Sequence, residues 1–211
     1  MAQSASAMGT MELILIIVMA VLFFGALGFG LYLLSINVLN PDGKGASKKT
    51  TRVLSKFALI RGFKVLTNVR FEHKGRAFHI ENMLIGYFGI LLVHTLGGRG
   101  EYYGQMDSKS WQLVRDEKKQ VFPNPYLEQE DAMAALRSVF SQHKVFNVPM
   151  ENLIVLTNKS RKTALFITND NKIFFPGKLK PYLDKTKFEK DAGIDIQKVT
   201  QIIEALSAET A

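Results

Sequence analysis

The chain divides into two parts by the pattern of its hydrophobic and polar positions. Residues Leu13 to Leu34 form a run of twenty-two residues without a charge, and the next charged residues are Asp42 and Lys44. A helix of about 20 residues crosses the ~30 Å hydrocarbon core of a bilayer. The run also lacks the polar stripe of a helix that packs on a protein core. The pattern predicts a transmembrane helix over residues 13–36, preceded by a short segment, residues 1–12.

The residues on either side of this run predict its orientation. Residues 1–12 contain no Lys or Arg, and the run exceeds the roughly 7–15 apolar residues of a cleaved signal peptide. We therefore expect a retained anchor. Basic residues follow from Lys44, with no acidic residue between Asp42 and Glu72. Positive flanks stay in the cytoplasm, so we expect a single-pass cell-membrane protein with its N-terminus outside and its C-terminal domain cytoplasmic.

A basic tether follows at residues 37–49. Beyond it, apolar residues recur in some segments at the spacing of a helix and in others at the spacing of a strand, and this pattern predicts one domain over residues 50–206. Apolar residues spaced by three and four predict a helix from Ser47 to Gly62. Later helices are predicted over residues 127–143 and from Asp195. Runs rich in apolar residues predict strands at residues 64–69, 79–85, 90–95, 101–103, 110–114, 152–156 and 164–168. This order predicts an α/β domain with a mixed central sheet flanked by helices.

Composition and charge narrow the classes of function. The chain has no cysteine, which excludes disulfides, thiolate metal sites and a cysteine nucleophile. All 27 Lys and Arg residues lie beyond residue 43, so the part after the anchor carries about +10. Such a charge attracts polyanions, either nucleic acid or anionic lipid headgroups. No phosphate-binding loop, dinucleotide fingerprint or serine-nucleophile elbow is present.

Basic and aromatic side chains supply the candidate contacts to such a polyanion. The candidates for nucleic-acid or lipid contact are Lys44, Lys48, Lys49, Arg52, Lys56, Arg61, Lys64, Lys74 and Arg76. Lys159, Arg161 and Lys162 form a second basic loop with the same two interpretations. Tyr102, Tyr103 and Trp111 could stack on bases, although aromatic residues at strand spacing are more often core residues.

Residues 50–206 resemble the nuclease-related domain (NERD) family, whose fold is similar to the restriction-endonuclease-like fold. Segments 64–69, 79–86 and 89–96 resemble its first strand and central hairpin, and residues 152–156 resemble a later core strand. The segment Gly100 to Gly104 and Trp111 follow the hairpin at the expected places. Asn124-Pro125 and Gln129 resemble the Asn-Pro and Gln that open the family's second helix, with one extra residue between them.

The resemblance implies a metal-dependent nuclease site, and this sequence departs from it. The family places an acidic residue late on the second strand and Glu-x-Lys on the third, where alternate residues point to one metal-bound water. Here the equivalent positions hold Glu81, His94 and Leu96, and the first helix contains no acidic residue. A single carboxylate does not enclose Mg²⁺, and leucine cannot stabilise charge on a phosphate.

Three classes of function follow, and the leading one is a catalytically inactive, membrane-anchored domain that binds nucleic acid or protein without a cofactor. The alternative is a divergent metal-dependent nuclease with a rebuilt site, in which His79, Glu81 and His94 hold a transition metal such as Zn²⁺. Glu101, Asp107 and Lys109 are further candidates for that pocket. The third class is a structural protein of the lipid surface with no nucleic-acid role.

Overall fold

The computed structural model describes residues 9–39, 44–157, 163–168 and 171–209, and the chain falls into two units. The first unit contains α1, a helix of 30 residues over Thr10–Leu39, and the second contains every later element. Within the described ranges, none of the helices qualifies by length and apolar character as a membrane span. The assignment of residues 13–36 as transmembrane stays a prediction.

The second unit alternates helices and strands. Its helices are α2 (Lys44–Arg61), α3 (Pro125–Gln142), α4 (Pro176–Leu183) and α5 (Ile196–Ala208), with a 3₁₀ turn at Thr186–Phe188. Its strands are β1 (Lys64–His73), β2 (Arg76–Gly86), β3 (Gly89–Leu96), β4 (Gly100–Gln105), β5 (Ser110–Arg115), β6 (Lys118–Pro123), β7 (Met150–Leu156), β8 (Thr163–Thr168) and β9 (Ile173–Phe174).

The first sheet has five strands in the order β1-β2-β3-β7-β9, antiparallel from β1 to β3 and parallel from β3 to β9. Side chains alternate between its two faces. On one face, Met83 and Leu92 pack with α3 and α5 in a first apolar cluster. On the other face, Leu84 and Leu91 pack with α2 and α4 in a second cluster. The sheet is therefore covered by helices on both sides.

The second sheet has four strands in the order β6-β5-β4-β8, and its β4–β8 pair is parallel. Tyr102 and Trp111 on its inner face are fully buried, and they pack with Ile154 and Leu156 of β7 in a third apolar cluster. Gly104 is required on this sheet, because a Cβ there would lie 2.5 Å from the Trp111 ring. The outer face of the sheet leaves Tyr103, Gln112 and Val121 exposed.

The structure confirms a mixed α/β fold with helices flanking the sheets, and it corrects the expectation of one central sheet. Strands β4, β5, β6 and β8 form a separate sheet, because β4 pairs with β5 and β8 and not with the β3–β7 pair. Strand β6 was missed. Its polar sequence gives no apolar alternation, and the Asp116-Glu117 loop before it uses positive φ angles at both residues, which tight hairpins require. The eight-residue helix α4, Pro176–Leu183, was not among the predicted elements.

Candidate functional site

The structure brings Glu81 and His94 together on the adjacent strands β2 and β3. The Glu81 Oε2 and His94 Nδ1 atoms lie 3.7 Å apart, which is longer than a hydrogen bond. Strands β2 and β3 pair Asn82 with Val93, so Glu81 and His94 are the next opposed pair. Both side chains therefore lie on the face of the sheet covered by α3 and α5.

The Glu81 carboxylate is held by the backbone of the neighbouring strand. The Thr95 N–H donates to Glu81 Oε2 at 2.6 Å. A charge-assisted bond of this kind from a peptide N–H is among the stronger hydrogen bonds in proteins. The carboxylate therefore joins the middle of β2 to the end of β3, which is a structural role, and one of its two oxygens is already engaged.

His94 lies between two carboxylates, yet its pKa is lowered. Burial of the imidazole lowers the pKa from its ordinary value of 6.5, while the charges of Glu81 and Glu128 raise it and His79 lowers it further. Desolvation outweighs the carboxylates, because it penalises the charged imidazolium. The lowered pKa favours the neutral imidazole of His94 at pH 7.

The remaining position of the resemblance, residue 96, is apolar. Leu96 is partly buried and packs against the third cluster. Helix α2 contains no acidic residue, and its Thr51 hydroxyl donates to Asn82 Oδ1 at 2.5 Å. The Asn82 side chain is fully buried. This neutral hydrogen bond lies on the α2 side of the first sheet, opposite the face that carries Glu81 and His94.

The first turn of α3 lies over the same face of the sheet. Asn124 caps the helix by accepting from the Tyr126 N–H at 3.0 Å, and its amide donates to the Met106 and Ser108 carbonyls at 2.9 and 2.7 Å. Asn152 of β7 donates to the Tyr126 carbonyl at 3.2 Å. Since Asn152 pairs with Leu92, two residues before His94, these bonds hold the first turn of α3 near the Glu81–His94 pair.

Two α3 side chains matter for this site. Glu128 is exposed and close enough to His94 for its charge to raise the histidine's pKa. Gln129 is 5 % exposed, and its Oε1 and Nε2 atoms have no hydrogen-bond partner in the described part of the chain. It lies on the buried face of α3 with Pro125, Ala132 and Met133. The site therefore contains one buried amide without a partner.

The structure describes no metal centre at these positions. Within the described ranges, no group of three or more His, Cys, Asp or Glu side chains is arranged to hold a metal ion. His79 lies on β2, two residues before Glu81, and its side chain is exposed. Glu101 accepts a hydrogen bond from the Tyr103 hydroxyl at 2.6 Å on the second sheet. Asp107 and Lys109 are exposed on the β4–β5 connection. The metal-dependent alternative stays a prediction.

The basic residues predicted to contact a polyanion lie on at least two surfaces. Lys48, Lys49, Arg52 and Lys56 are exposed on α2. Arg61 at its end is partly buried, with its guanidinium 4.0 Å from the centre of the Phe57 ring and 3.8 Å from Glu189.

Lys64 opens β1, whereas Lys74 and Arg76 lie at the turn that follows the other end of this ten-residue strand, roughly 30 Å away. Arg76 is 2.7 Å from Asp131. The Lys44 side chain and the loop containing Lys159, Arg161 and Lys162 lie outside the described residues.

The candidate stacking residues separate into core and surface. Tyr102 and Trp111 are fully buried and belong to the third cluster. Tyr103 is exposed on the outer face of the second sheet, and its ring stacks on Phe166 with 4.8 Å between ring centres. A groove of about 500 Å³ borders Tyr103 and is lined by Gln105, Ser108, Ser110, Gln112 and Lys119. This face offers aromatic rings and neutral hydrogen-bonding groups.

These observations define an α/β domain whose polar residues gather where β2, β3 and the first turn of α3 meet. The chain belongs to the nuclease-related domain family, whose profile matches residues 42–157, more than half of the 211 residues. Comparison with curated proteins gives no match, and comparison with solved structures gives none either.

Sequence reasoning missed several polar residues of this region. Glu128 was not predicted, although it follows Asn124-Pro125 within the first turn of the helix that the sequence identified. The Thr51–Asn82 bond joins α2 to β2, and Asn152 was seen only as part of a buried strand. An asparagine inside an apolar run is the signal that could have indicated a hydrogen-bonded position, because buried amides need partners.

Proposed function

We propose that this protein is a membrane-anchored, restriction-endonuclease-like domain that does not cleave nucleic acid and acts by binding a partner, either nucleic acid or protein. The observation that carries this proposal is the Glu81–Thr95 hydrogen bond, which engages one oxygen of the single carboxylate at the family positions. The opposed residue is His94, whose pKa is lowered by desolvation, and Leu96 packs against the third cluster. In-line attack on a phosphodiester needs a metal-activated water and a cation near the phosphate, and this arrangement favours neither.

The anchoring part of the proposal is supported by the uncharged run from Leu13 to Leu34. Large apolar side chains of α1 are more than half exposed, including Leu15 at 65 %, Leu22 at 64 % and Phe24 at 67 %. An exposed apolar surface of this extent is unfavourable in water and is suited to a lipid environment.

The cleavage assay uses the full-length protein in detergent with single- and double-stranded DNA and RNA, in Mg²⁺, Mn²⁺ or Zn²⁺. We expect no metal-dependent cleavage. Glu81→Ala and His94→Ala are the diagnostic variants, and Glu72→Ala, an exposed carboxylate on β1, is the matched control. Cleavage lost in both diagnostic variants and kept in the control would overturn the proposal in favour of the rebuilt metal site. Cleavage unchanged in all three would identify a contaminating nuclease.

The rebuilt site is the second candidate, and the 3.7 Å approach of His94 to Glu81 is the observation in its favour. Binding assays separate nucleic-acid partners from protein partners. A basic domain binds polyanions weakly, and the logarithm of its binding constant falls linearly with the logarithm of the salt concentration. Only a preference among DNA and RNA forms therefore supports a nucleic-acid partner. Loss of that preference in Tyr103→Ala or Phe166→Ala would place the contact on the second sheet.

A further inference from the structure

Helix α2 presents an outward surface with an unusual composition, which we call the α2 stripe. It consists of Lys48, Lys49, Arg52, Lys56, Leu59 and Ile60. The opposite side of the helix is anchored in the second cluster, where Leu54, Phe57 and Ala58 are 0, 6 and 4 % exposed. The orientation of the helix on the sheet is therefore determined by packing, and the stripe faces away from the domain.

The two apolar side chains at the C-terminal end of the stripe are almost fully exposed to solvent. Leu59 is 84 % exposed and Ile60 is 81 % exposed, the highest values for large apolar side chains in the described part of the chain. They are adjacent and are the last apolar residues before the helix ends at Arg61. Two neighbouring aliphatic side chains in water indicate a surface that something apolar covers.

The rest of the stripe is positively charged, and in the described part of the chain no acidic side chain pairs with these charges. Helix α2 contains no acidic residue, and in the described part of the chain none of Lys48, Lys49, Arg52 and Lys56 forms an ion pair. Lys56, Leu59 and Ile60 lie four, seven and eight residues after Arg52, which places the four on one side of a helix. The aliphatic pair is therefore continuous with the cations.

We propose that the α2 stripe docks on an anionic lipid surface, with Leu59 and Ile60 entering the headgroup region and the four cations facing lipid phosphates. Amphipathic helices with basic and apolar residues bind membrane interfaces in this way, by combining apolar burial with attraction to anionic lipids. The charge of the stripe complements such a surface. A nucleic-acid backbone would pair with the cations but would leave Leu59 and Ile60 exposed.

This inference deepens the proposed membrane anchoring, because it assigns a second lipid contact to the folded domain beyond the anchor. The experiment that tests this second lipid contact gives a signal separate from that of the anchor. The chain has no cysteine, so a single introduced cysteine can carry an environment-sensitive fluorophore. The full-length Ile60→Cys protein is labelled and incorporated into phosphatidylcholine vesicles, with or without roughly one-third phosphatidylserine. Val121→Cys on β6, 62 % exposed, is the matched control position.

We expect the fluorophore at residue 60 to shift to the blue in the phosphatidylserine vesicles and to return towards its aqueous value at about 0.5 M salt, because screening removes the attraction. The label at residue 121 should not respond. Leu59→Ser in the Ile60→Cys background should lower the equilibrium constant for docking by about tenfold and reduce the blue shift accordingly, the order expected when one large apolar side chain leaves an interface. Replacing the four cations with glutamine should abolish it.

An identical spectrum at residue 60 in both lipids and in detergent would overturn the proposal. A response of this label to oligonucleotides and none to vesicles would overturn it in favour of a nucleic-acid surface. The anchoring by residues 13–34 is tested separately by flotation with vesicles at high salt. Failure to float would reject the anchor, whereas the label at residue 60 would still report docking at low salt.

Discussion

At the scale of single residues, the buried amides of the domain differ in how completely they are hydrogen-bonded. Asn82, Asn124 and Asn152 are each at most 2 % exposed and each uses its side chain in hydrogen bonds. Gln129 is buried to a similar degree without a partner in the described part of the chain. A buried amide without a partner costs about 1–3 kcal/mol relative to its hydrated state. We therefore expect Gln129 to destabilise this fold.

Replacing Gln129 with methionine should raise the free energy of unfolding by about 1–2 kcal/mol, because it removes the unpaired amide and keeps the side-chain volume. Denaturation in detergent, followed by Trp111 fluorescence, measures the change. Asn152→Leu is the matched control and should lower the free energy of unfolding, because it leaves the Tyr126 carbonyl without its donor. A loss of stability in Gln129→Met would show that the amide is hydrogen-bonded in solution.

The sequence was sufficient to place Glu81, His94 and Leu96 near one another, because strand geometry repeats every two residues and the hairpin between β2 and β3 is short. It was not sufficient to show what those residues do. The Thr95 N–H bond to Glu81 and the approach of Glu128 to His94 depend on how the strands pair and how α3 is rotated on the sheet. Both are tertiary contacts without a local sequence pattern.

At the scale of elements, Glu151 connects β7 to the C-terminal segments. It accepts hydrogen bonds from Lys172 before β9, from the Tyr182 hydroxyl on α4 at 2.6 Å and from Lys187 in the 3₁₀ turn at 2.6 Å. Partial burial alone would raise the pKa of Glu151. The bonds from Lys172, Lys187 and Tyr182 outweigh it and lower the pKa from 4.5 to about 2. One carboxylate thus ties three later segments to the first sheet.

This network predicts a specific acid sensitivity. The folded pKa of Glu151 lies below its ordinary value, so its stabilisation is present above pH 4.5 and is lost as the pH falls towards 2. A shift of this size corresponds to about 3 kcal/mol. The free energy of unfolding of the wild type should exceed that of Glu151→Gln by this amount at pH 7, and the two should converge near pH 2. Parallel pH profiles would contradict the assignment.

The elements that sequence patterns predicted well are those with strong apolar periodicity, such as β3, β7 and α5. Strand β6 and helix α4 were missed for different reasons. Strand β6 is an edge strand whose residues from Lys118 to Val121 are exposed, so it carries no alternation. Helix α4 begins at Pro176 and contains Pro181, and prolines usually argue against a helix. Packing of Leu179 and Leu183 in the second cluster stabilises it.

At the scale of the whole molecule, three apolar clusters stabilise two sheets, and β7 contributes to more than one of them. Leu153 and Val155 belong to the second cluster, whereas Ile154 and Leu156 belong to the third. One face of β7 therefore packs against the second sheet, whereas its other face packs against α2 and α4. A buried strand was predictable from its apolar run, but a role in joining two sheets was not.

Orientation in the membrane is also a property of the whole molecule. The basic residues that follow the uncharged run predict that residues 44–211 lie in the cytoplasm. We expect a protease added to inverted membrane vesicles to degrade this part of the chain, and the same part to be protected in right-side-out vesicles. A tag at the C-terminus provides the readout, and a cytoplasmic marker protein confirms that the vesicles are sealed. Protection of the tag in inverted vesicles would reverse the orientation.

The packing of Leu96 predicts how the protein would respond to a charge at this position. Leu96 is partly buried and packs against the cluster that holds Tyr102, Trp111 and Ile154. An unpaired ammonium group there would lose hydration wherever the cluster covers it, so we expect the Leu96→Lys protein to be less stable than the wild type. Packing alone therefore favours an apolar side chain at residue 96, independently of any role of the neighbouring Glu81 and His94.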